Sequence, residues 1–220
     1  ELTVINADGT GREVIFVADE IIEAPNWTPD GKWLIFNAGG ELYRISPDGK
    51  DGPHKINTGS LADLNNDHVL SWDGKTLYVS SDDSHLYWLP IEGGTPRRIS
   101  NEHAERHHYY LHGVSPDGKT LVYTGVNTLN GNRWGYVNIW TIPVAGGKDV
   151  QLTDSAPPDD GAEYSPDGQW IWYNSEAGSP GHAQIWKMRA DSSEQQQVTF
   201  DERVNWFPHF SRDGQHIVYL

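Results

Sequence analysis

Ser115-Pro116-Asp117-Gly118-Lys119 is one of five copies of a short phrase that recurs along the chain. The other copies are Thr28-Pro29-Asp30-Gly31-Lys32, Ser71-Trp72-Asp73-Gly74-Lys75, Ser165-Pro166-Asp167-Gly168-Gln169 and Ser211-Arg212-Asp213-Gly214-Gln215. Proline presets φ near about −65°, aspartate can hydrogen-bond its own backbone, and glycine takes the positive φ of a tight strand reversal. The phrase therefore predicts the same tight hairpin five times.

The spacing of these hairpins predicts the fold class. Successive glycines of the phrase lie 43, 44, 50 and 46 residues apart, a period that suits a four-stranded propeller blade. Apolar and aromatic runs of strand length follow each phrase, as at residues 33–36 and 170–173, and further runs such as residues 139–142 supply a third strand. A fourth strand ends in a branched residue and a hydroxyl, as in Val198-Thr199. We predict an all-β fold, a β-propeller of four-stranded antiparallel blades.

The two ends of the chain each match half of the repeat. Residues 1–23 fit only its second half and residues 208–220 only its first half. Joined, they would complete one blade and leave no exposed sheet edge. We therefore expect five blade equivalents in a single domain of residues 1–220, closed by residues 1–23 with residues 208–220. The alternative is a six-bladed ring with one blade missing from the chain.

The Ser-Pro-Asp-Gly-Lys phrase, followed by a strand rich in Trp and Leu and repeated along the whole chain, resembles the TolB-like β-propellers. Their units are also called PD40 or WD-like repeats. Rings of six or seven blades are common in that superfamily, so five phrases depart from its usual number. Some TolB-like enzymes that cleave acidic oligosaccharides carry a histidine-bound metal on the central face. The resemblance leaves a periplasmic or secreted location open.

Composition limits the classes of partner. The chain has 16 Lys and Arg against 31 Asp and Glu, a formal charge of −15, which would repel nucleic acid and anionic membranes. It contains no cysteine, which excludes disulfides and thiolate chemistry. No apolar run approaches the roughly 20 residues of a membrane span. We expect no nucleic-acid partner and no membrane insertion, and the sequence itself names no compartment.

Polar residues recur on the innermost strand of each predicted blade, five to seven residues before the turn glycine. They are Asn26, Asp67, His68, His112, Glu163 and His209. Because inner strands line a common channel, we expect these side chains to converge at its mouth. Imidazole and carboxylate groups bind divalent metals and transfer protons near neutral pH. The same groups also form hydrogen bonds within polar channels. Two alternatives therefore stay open: the chain has no cofactor, or His68, His112 and His209 bind a divalent metal.

A second candidate set is aromatic and lies near the predicted loops. Its members are His108, Tyr109, Tyr110, Trp134, Tyr136 and Trp206. The insertions at residues 125–137 and 174–183 should emerge opposite the Asp-Gly hairpins, and variable loops on a rigid scaffold usually carry binding. Aromatic faces beside polar groups suit sugar or peptide ligands, although packing between blades is the other explanation.

Two hypotheses of function follow. In the first, the chain is a non-enzymatic binding scaffold that presents its loop-rich face and polar channel mouth to a protein, peptide or glycan. In the second, it is a metal-dependent lyase or hydrolase of an anionic saccharide, with Glu163 or Asp67 as general base. Few cations lie near the predicted mouth, Arg106 and Arg133 among them, which disfavours a polyanionic substrate.

Overall fold

The computed structural model describes residues 1–129 and 132–220 and, among these, every side chain other than those of residues 129 and 132–134. The described residues form twenty β-strands joined by turns and irregular connections, without a helix. All pairings between the strands are antiparallel in the registers that the structure gives. The prediction of an all-β fold is confirmed.

Four sheets have four strands each, and each sheet follows the chain order of its strands. The first blade contains β3 (Ile22–Trp27), β4 (Leu34–Ala38), β5 (Glu41–Ile45) and β6 (His54–Lys55). The second blade contains β7 (Leu64–Leu70), β8 (Thr76–Ser81), β9 (Leu86–Pro90) and β10 (Arg97–Arg98). The third blade contains β11 (His107–Val114), β12 (Thr120–Leu129), β13 (Asn132–Pro143) and β14 (Val150–Gln151). The fourth blade contains β15 (Asp159–Tyr164), β16 (Trp170–Ser175), β17 (Gln184–Arg189) and β18 (Gln196–Gln197).

The ends of the chain form two further sheets of two strands each. One contains β1 (Leu2–Val4) and β2 (Glu13–Phe16), and the other contains β19 (His209–Phe210) and β20 (Ile217–Val218). The expectation of five blades is therefore corrected to four complete blades and two halves. The closure of residues 1–23 with residues 208–220, and the single domain that it would complete, stay predictions.

The chain divides into two compact units. The first contains residues 1–83 and 87–98, and the second contains residues 84–86 and 99–220. In the first unit, Ile35 and Leu42 of the first blade pack with Leu77 and Val79 of the second. In the second unit, apolar side chains of the third and fourth blades share one core. These are Val122, Ile139, Ala162, Tyr164, Ile171, Tyr173 and Met188.

The same pattern of hydrogen bonds closes each of the five predicted turns. In the third copy, Ser115 Oγ donates to Asp117 Oδ1 at 2.7 Å and accepts from the backbone N of Thr120 at 3.0 Å. Asp117 Oδ1 also accepts from the backbone N of Lys119 at 3.1 Å, and Gly118 has φ +70°. The copies with Trp or Arg in place of Pro make the same contacts. The hydroxyl and the carboxylate, rather than proline, are what the turn requires.

The described residues of the insertion predicted at residues 125–137, which are 125–129 and 132–137, form sheet instead of loop. Strands β12 and β13 continue past the blade, with Val126 paired to Val137 and Asn127 paired to Tyr136. This extension lies at the end of β12 opposite to the Asp117-Gly118 turn. The third blade therefore carries a long two-stranded arm.

The turn carboxylates give a prediction about acid stability. Hydrogen bonds, first from the Ser or Thr hydroxyl and then from the backbone, lower the pKa of each turn Asp below its ordinary value of 3.8. Because the unfolded chain takes up these protons first, the stabilisation is complete above about pH 4 and is lost as the pH falls through the lowered pKa values. Asparagine keeps an acceptor oxygen but does not titrate. We expect the variant D117N/D167N/D213N to show a flatter dependence of its urea midpoint on pH below about pH 4.

Equal slopes for this variant and the original protein over that pH range would show that the turn carboxylates do not contribute to acid unfolding.

Candidate functional site

The innermost strand of every complete blade is interrupted by an irregularity of register at the predicted polar positions. The shifts fall between Glu23 and Asn26, Leu64 and His68, Leu111 and Gly113, and Asp160 and Glu163. A β-bulge turns side chains out of the regular alternation and is common beside functional sites. The five candidates of the complete blades therefore lie at bulges within their strands, whereas His209 begins β19.

His68 is buried, and both of its ring nitrogens have partners. Nδ1 donates to Asn37 Oδ1 at 2.7 Å, and Nε2 accepts from Asn26 Nδ2 at 3.2 Å. Burial lowers the pKa of His68 to about 4, so the ring is neutral at pH 7. The neighbouring Asp67 donates its backbone N–H to Asn65 Oδ1 at 3.0 Å. This arrangement gives His68 a structural role in the first unit and leaves neither nitrogen available for a metal.

In the second unit, His112 lies against a carboxylate that its position in the sequence did not reveal. Nε2 of His112 is 3.1 Å from Asp160 Oδ1, which also accepts from Thr124 Oγ1 at 2.7 Å and from the backbone N of Gly161 at 2.8 Å. Burial would raise the pKa of Asp160, but the hydrogen bonds from His112 and Thr124 outweigh it and lower that pKa. A carboxylate held in this way stays ionised and orients the imidazole.

A second imidazole and carboxylate pair lies on the next strands. His209 Nδ1 donates to Glu163 Oε2 at 2.6 Å, and the side chain of His209 is 58% exposed. The backbone N of Phe210 reaches the other oxygen, Glu163 Oε1, at 3.5 Å. This pair is thus fixed in orientation and open to solvent.

An aromatic stack adjoins the His112 pair. The ring of Phe207 stacks on His112 with centroids 5.7 Å apart and meets Trp206 edge-on at 5.4 Å. Phe207 has φ +51°, which is a left-handed conformation. This conformation is unfavourable in free energy for any residue that has a Cβ atom. Asn174 Oδ1 accepts its backbone N–H at 3.2 Å, and Gly161 leaves room for its ring. Several contacts therefore combine to hold this ring on the imidazole.

A polar residue that was not predicted as functional recurs six positions after each turn glycine of the complete blades. These residues are Asn37, Ser80, Thr124 and Asn174. Thr124 bonds to Asp160 of β15, and Asn174 bonds to Phe207 in the connection before β19, as described above. A polar residue at a constant offset within an apolar strand was the signal that could have found them. This recurring position, here called the seam position, links each second strand to an inner strand or to the connection before one.

The predicted aromatic cluster before the third blade is built around a buried carboxylate, Asp149. Tyr109 and Tyr123 donate their hydroxyls to Asp149 at 3.1 and 2.9 Å, and Asn101 Nδ2 donates to it at 2.6 Å. His103 Nε2 lies 2.7 Å from the Tyr109 hydroxyl. Burial, and then the charge of Asp149, raise the pKa of both tyrosines, so both stay protonated. Tyr109 is buried within this network and cannot reach a ligand.

The other predicted aromatic contacts divide by exposure. His108 is buried, and its ring stacks on Tyr110 with centroids 6.3 Å apart. Tyr136, on the long arm, and Trp206 are 43% and 39% exposed. The side chain of Trp134 lies outside the described residues. Tyr110, Tyr136 and Trp206 therefore stay candidates for ligand contact, whereas His108 packs inside the sheet.

Within residues 1–129 and 132–220, four of the six inner-strand candidates meet in two separate pairs, and His112 meets a carboxylate outside the candidate set. Asn26 bonds to His68, and Glu163 bonds to His209, while His112 bonds to Asp160. No group of three or more His, Asp or Glu side chains that could hold a metal ion occurs in the described residues. The described chain also contains no helix that is long and apolar enough to cross a membrane.

These blades, with short outer strands and bulged inner strands, define a β-propeller protein. The family model of the TolB β-propeller domain matches residues 126–220. The uncharacterized protein Atu1656 of Agrobacterium fabrum is 38% identical over all of this chain and 72% of its own length. The chain therefore belongs to the TolB-like β-propeller family.

Solved structures agree with this assignment. A structure from Agrobacterium tumefaciens assigned to TolB is 36% identical and superposes with a TM-score of 0.86, over 98% of this chain and 75% of its own. TolB from Acinetobacter baumannii is similar in fold, with 18% identity and a TM-score of 0.74, over 98% of this chain and 52% of its own.

The buried histidine gives a prediction about pH. The pKa of His68 is about 4 in the folded chain and 6.5 ordinarily, so the unfolded chain binds a proton over that interval and the folded chain does not. The stabilisation is complete above about pH 6.5 and is lost as the pH falls towards 4, by about 3 kcal/mol in total. We expect H68Q, which does not titrate, to lower stability at pH 7 and to reduce this pH dependence, measured by urea unfolding at pH 7, 5.5 and 4.5.

If H68Q retained the full pH dependence over this interval, the buried neutral state of His68 would be contradicted.

The aromatic stack gives a second prediction. A Cβ atom at Gly161 would lie 2.5 Å from Phe207 Cδ1 and 2.6 Å from Asn174 Oδ1, whereas one at Gly181 would have no atom within 4 Å. Both glycines have positive φ, so G181A is a matched control for backbone strain alone. We expect G161A to lose about 2 kcal/mol more stability than G181A, because only G161A displaces the Phe207 ring. Urea unfolding of the two variants measures the difference, and equal losses would argue against close packing at Gly161.

Proposed function

We propose that this chain is a non-enzymatic binding scaffold that recognises a protein partner through the loop-rich side of its blades. The carrying observation is the group of side chains in the second unit formed by the pair His209 and Glu163 and the rings of His112, Phe207 and Trp206. Fixed polar and aromatic side chains that are partly exposed are the usual anchors of protein interfaces.

Preorganisation supports a recognition role. The hydrogen bonds on Glu163 and Asp160 fix the two imidazoles before any ligand arrives. Binding then costs little side-chain entropy, which is the usual advantage of a rigid recognition surface. The long arm of β12 and β13 adds Tyr136 on the same side of the third blade, away from the Asp117-Gly118 turn.

The position of the histidines favours binding over metal-assisted cleavage of a saccharide. His68 uses both nitrogens in hydrogen bonds to Asn37 and Asn26, and its low pKa comes from burial. It therefore cannot join His112 and His209 as a third ligand without breaking that network. We extend the proposal to the periplasm, the compartment that the family resemblance leaves open.

Site-specific photo-crosslinking tests the proposal. A benzophenone amino acid is placed at Tyr136 or at His209, and as a matched control at Lys119, which lies at the other end of the hairpin that carries Tyr136. In cells that naturally make the protein, we expect discrete protein adducts from positions 136 and 209 and none from position 119.

Equal adducts from all three positions, or none from positions 136 and 209, would contradict the proposal. A stoichiometric divalent metal in protein purified without a histidine tag, lost in H112A together with cleavage of an anionic saccharide, would establish the enzymatic alternative instead.

A further inference from the structure

The connection that follows the fourth blade, residues 199–206, is held rigidly against the start of β17. Asn205 is buried, and its backbone N donates to the carbonyl of Ala183 at 2.8 Å. Its side-chain nitrogen lies 3.2 Å from both Gln184 Oε1 and Thr199 Oγ1. Gln184 Nε2 in turn donates to the carbonyl of Arg203 at 2.6 Å. We call this segment the 199–206 loop.

This rigid loop exposes large apolar side chains. Phe200 is 77% exposed, Val204 is 46% exposed and Trp206 is 39% exposed. Single exposed apolar residues are ordinary on a protein surface, but three within seven residues of one fixed segment form a patch. The hydrogen bonds of Asn205 stabilise the loop conformation in which these side chains are exposed.

The position of Phe200 is unusual within the repeat. It directly follows a hydroxyl residue that comes two or three positions after the fourth strand, and the other three blades have small or polar residues there. The four residues are Gly59, Asn101, Asp154 and Phe200. The blade geometry therefore does not require an aromatic side chain at this position.

An acidic groove lies beside the patch. It has a volume of about 550 Å³ and is lined by Ser179, Pro180, His182, Asp201 and Glu202. His182 Nε2 donates to the carbonyl of Glu202 at 2.6 Å, which fixes one wall to the other. The 199–206 loop contains two carboxylates, Asp201 and Glu202, and one basic residue, Arg203, so the loop has a net negative charge. A lysine or arginine side chain matches this groove in charge.

We propose that the 199–206 loop docks a protein partner through a segment in which an apolar or aromatic residue stands next to a lysine or arginine. The apolar residue covers Phe200 and Val204, and the cation enters the groove beside Glu202. This proposal rests on the proposed binding function and adds to it a site and a partner chemistry. Exclusion of water from Phe200 supplies affinity, and the carboxylates supply selectivity for a basic partner.

A peptide library provides a defined probe. Random twelve-residue peptides displayed on phage are selected on the full chain, with depletion on F200S. We expect enriched sequences that pair an apolar residue with Lys or Arg. Synthetic copies should bind about tenfold more weakly to F200S and about threefold more weakly to E202Q, measured by fluorescence anisotropy. V150S, which removes an exposed apolar residue of β14 outside the loop, should bind as the original chain does.

Three outcomes would overturn the proposal. They are failure to enrich peptides, enrichment of peptides without a basic residue, and binding by F200S and E202Q that equals binding by the original chain. The urea midpoints of F200S and E202Q check their folding, and E202Q decides the matter if F200S unfolds. If F200S and E202Q bind the peptides as the original chain does, and positions 136 and 209 still give photo-crosslinks, this docking site is refuted but the binding scaffold is not. Loss of both results would refute the scaffold as well.

Discussion

The structure depends on the hydroxyl at the start of each turn, which donates to the turn aspartate and accepts the backbone N–H five residues later. The contact between Ser165 Oγ and Asp167 Oδ1, at 2.5 Å, is one example, and the N–H of Trp170 returns to the same hydroxyl at 3.0 Å. This closed set of bonds permits one pairing of the flanking strands. Because a slip of one residue would reverse every side chain between the two faces of a sheet, the turn fixes which residues reach the core and which reach a neighbouring blade.

Residues at the same distance from the turn glycine therefore occupy the same place in a blade, but their hydrogen-bond partners and pKa values differ. His68 and His112 both precede their glycine by six residues. His68 is enclosed by two amides and has a pKa of about 4, whereas His112 meets an ionised carboxylate and an aromatic ring. The difference comes from the residues that the neighbouring strands supply at the seam position and at the bulge. Position in the repeat thus sets location, and the neighbours set protonation and exposure.

This division explains how much could be predicted. The turn phrase, its period and the strands after it predicted four-stranded antiparallel blades correctly, because these features depend on short stretches of chain. The predictions of a fifth blade and of a loop over residues 125–129 and 132–137 were wrong. Half a repeat leaves the same pattern of apolar residues as part of a blade, and an extended hairpin leaves the same pattern as a loop. Asp160 and Asp149 were not assigned to His112 and Tyr109, since each pair joins distant parts of the chain. The exposure of Phe200 was not predicted, because a local sequence pattern does not show whether an apolar residue of a connection faces the core or the solvent.

The long arm of β12 and β13 has a consequence for how the chain acquires its structure. Its partners, such as Thr124 with Ile139 and Val126 with Val137, are close in sequence. Closing a short loop costs little chain entropy, and hairpins form within about 1–10 μs, faster than pairings between distant segments. We therefore expect the nucleus of folding to form in the third blade, in the middle of the chain, with the short outer strands added last.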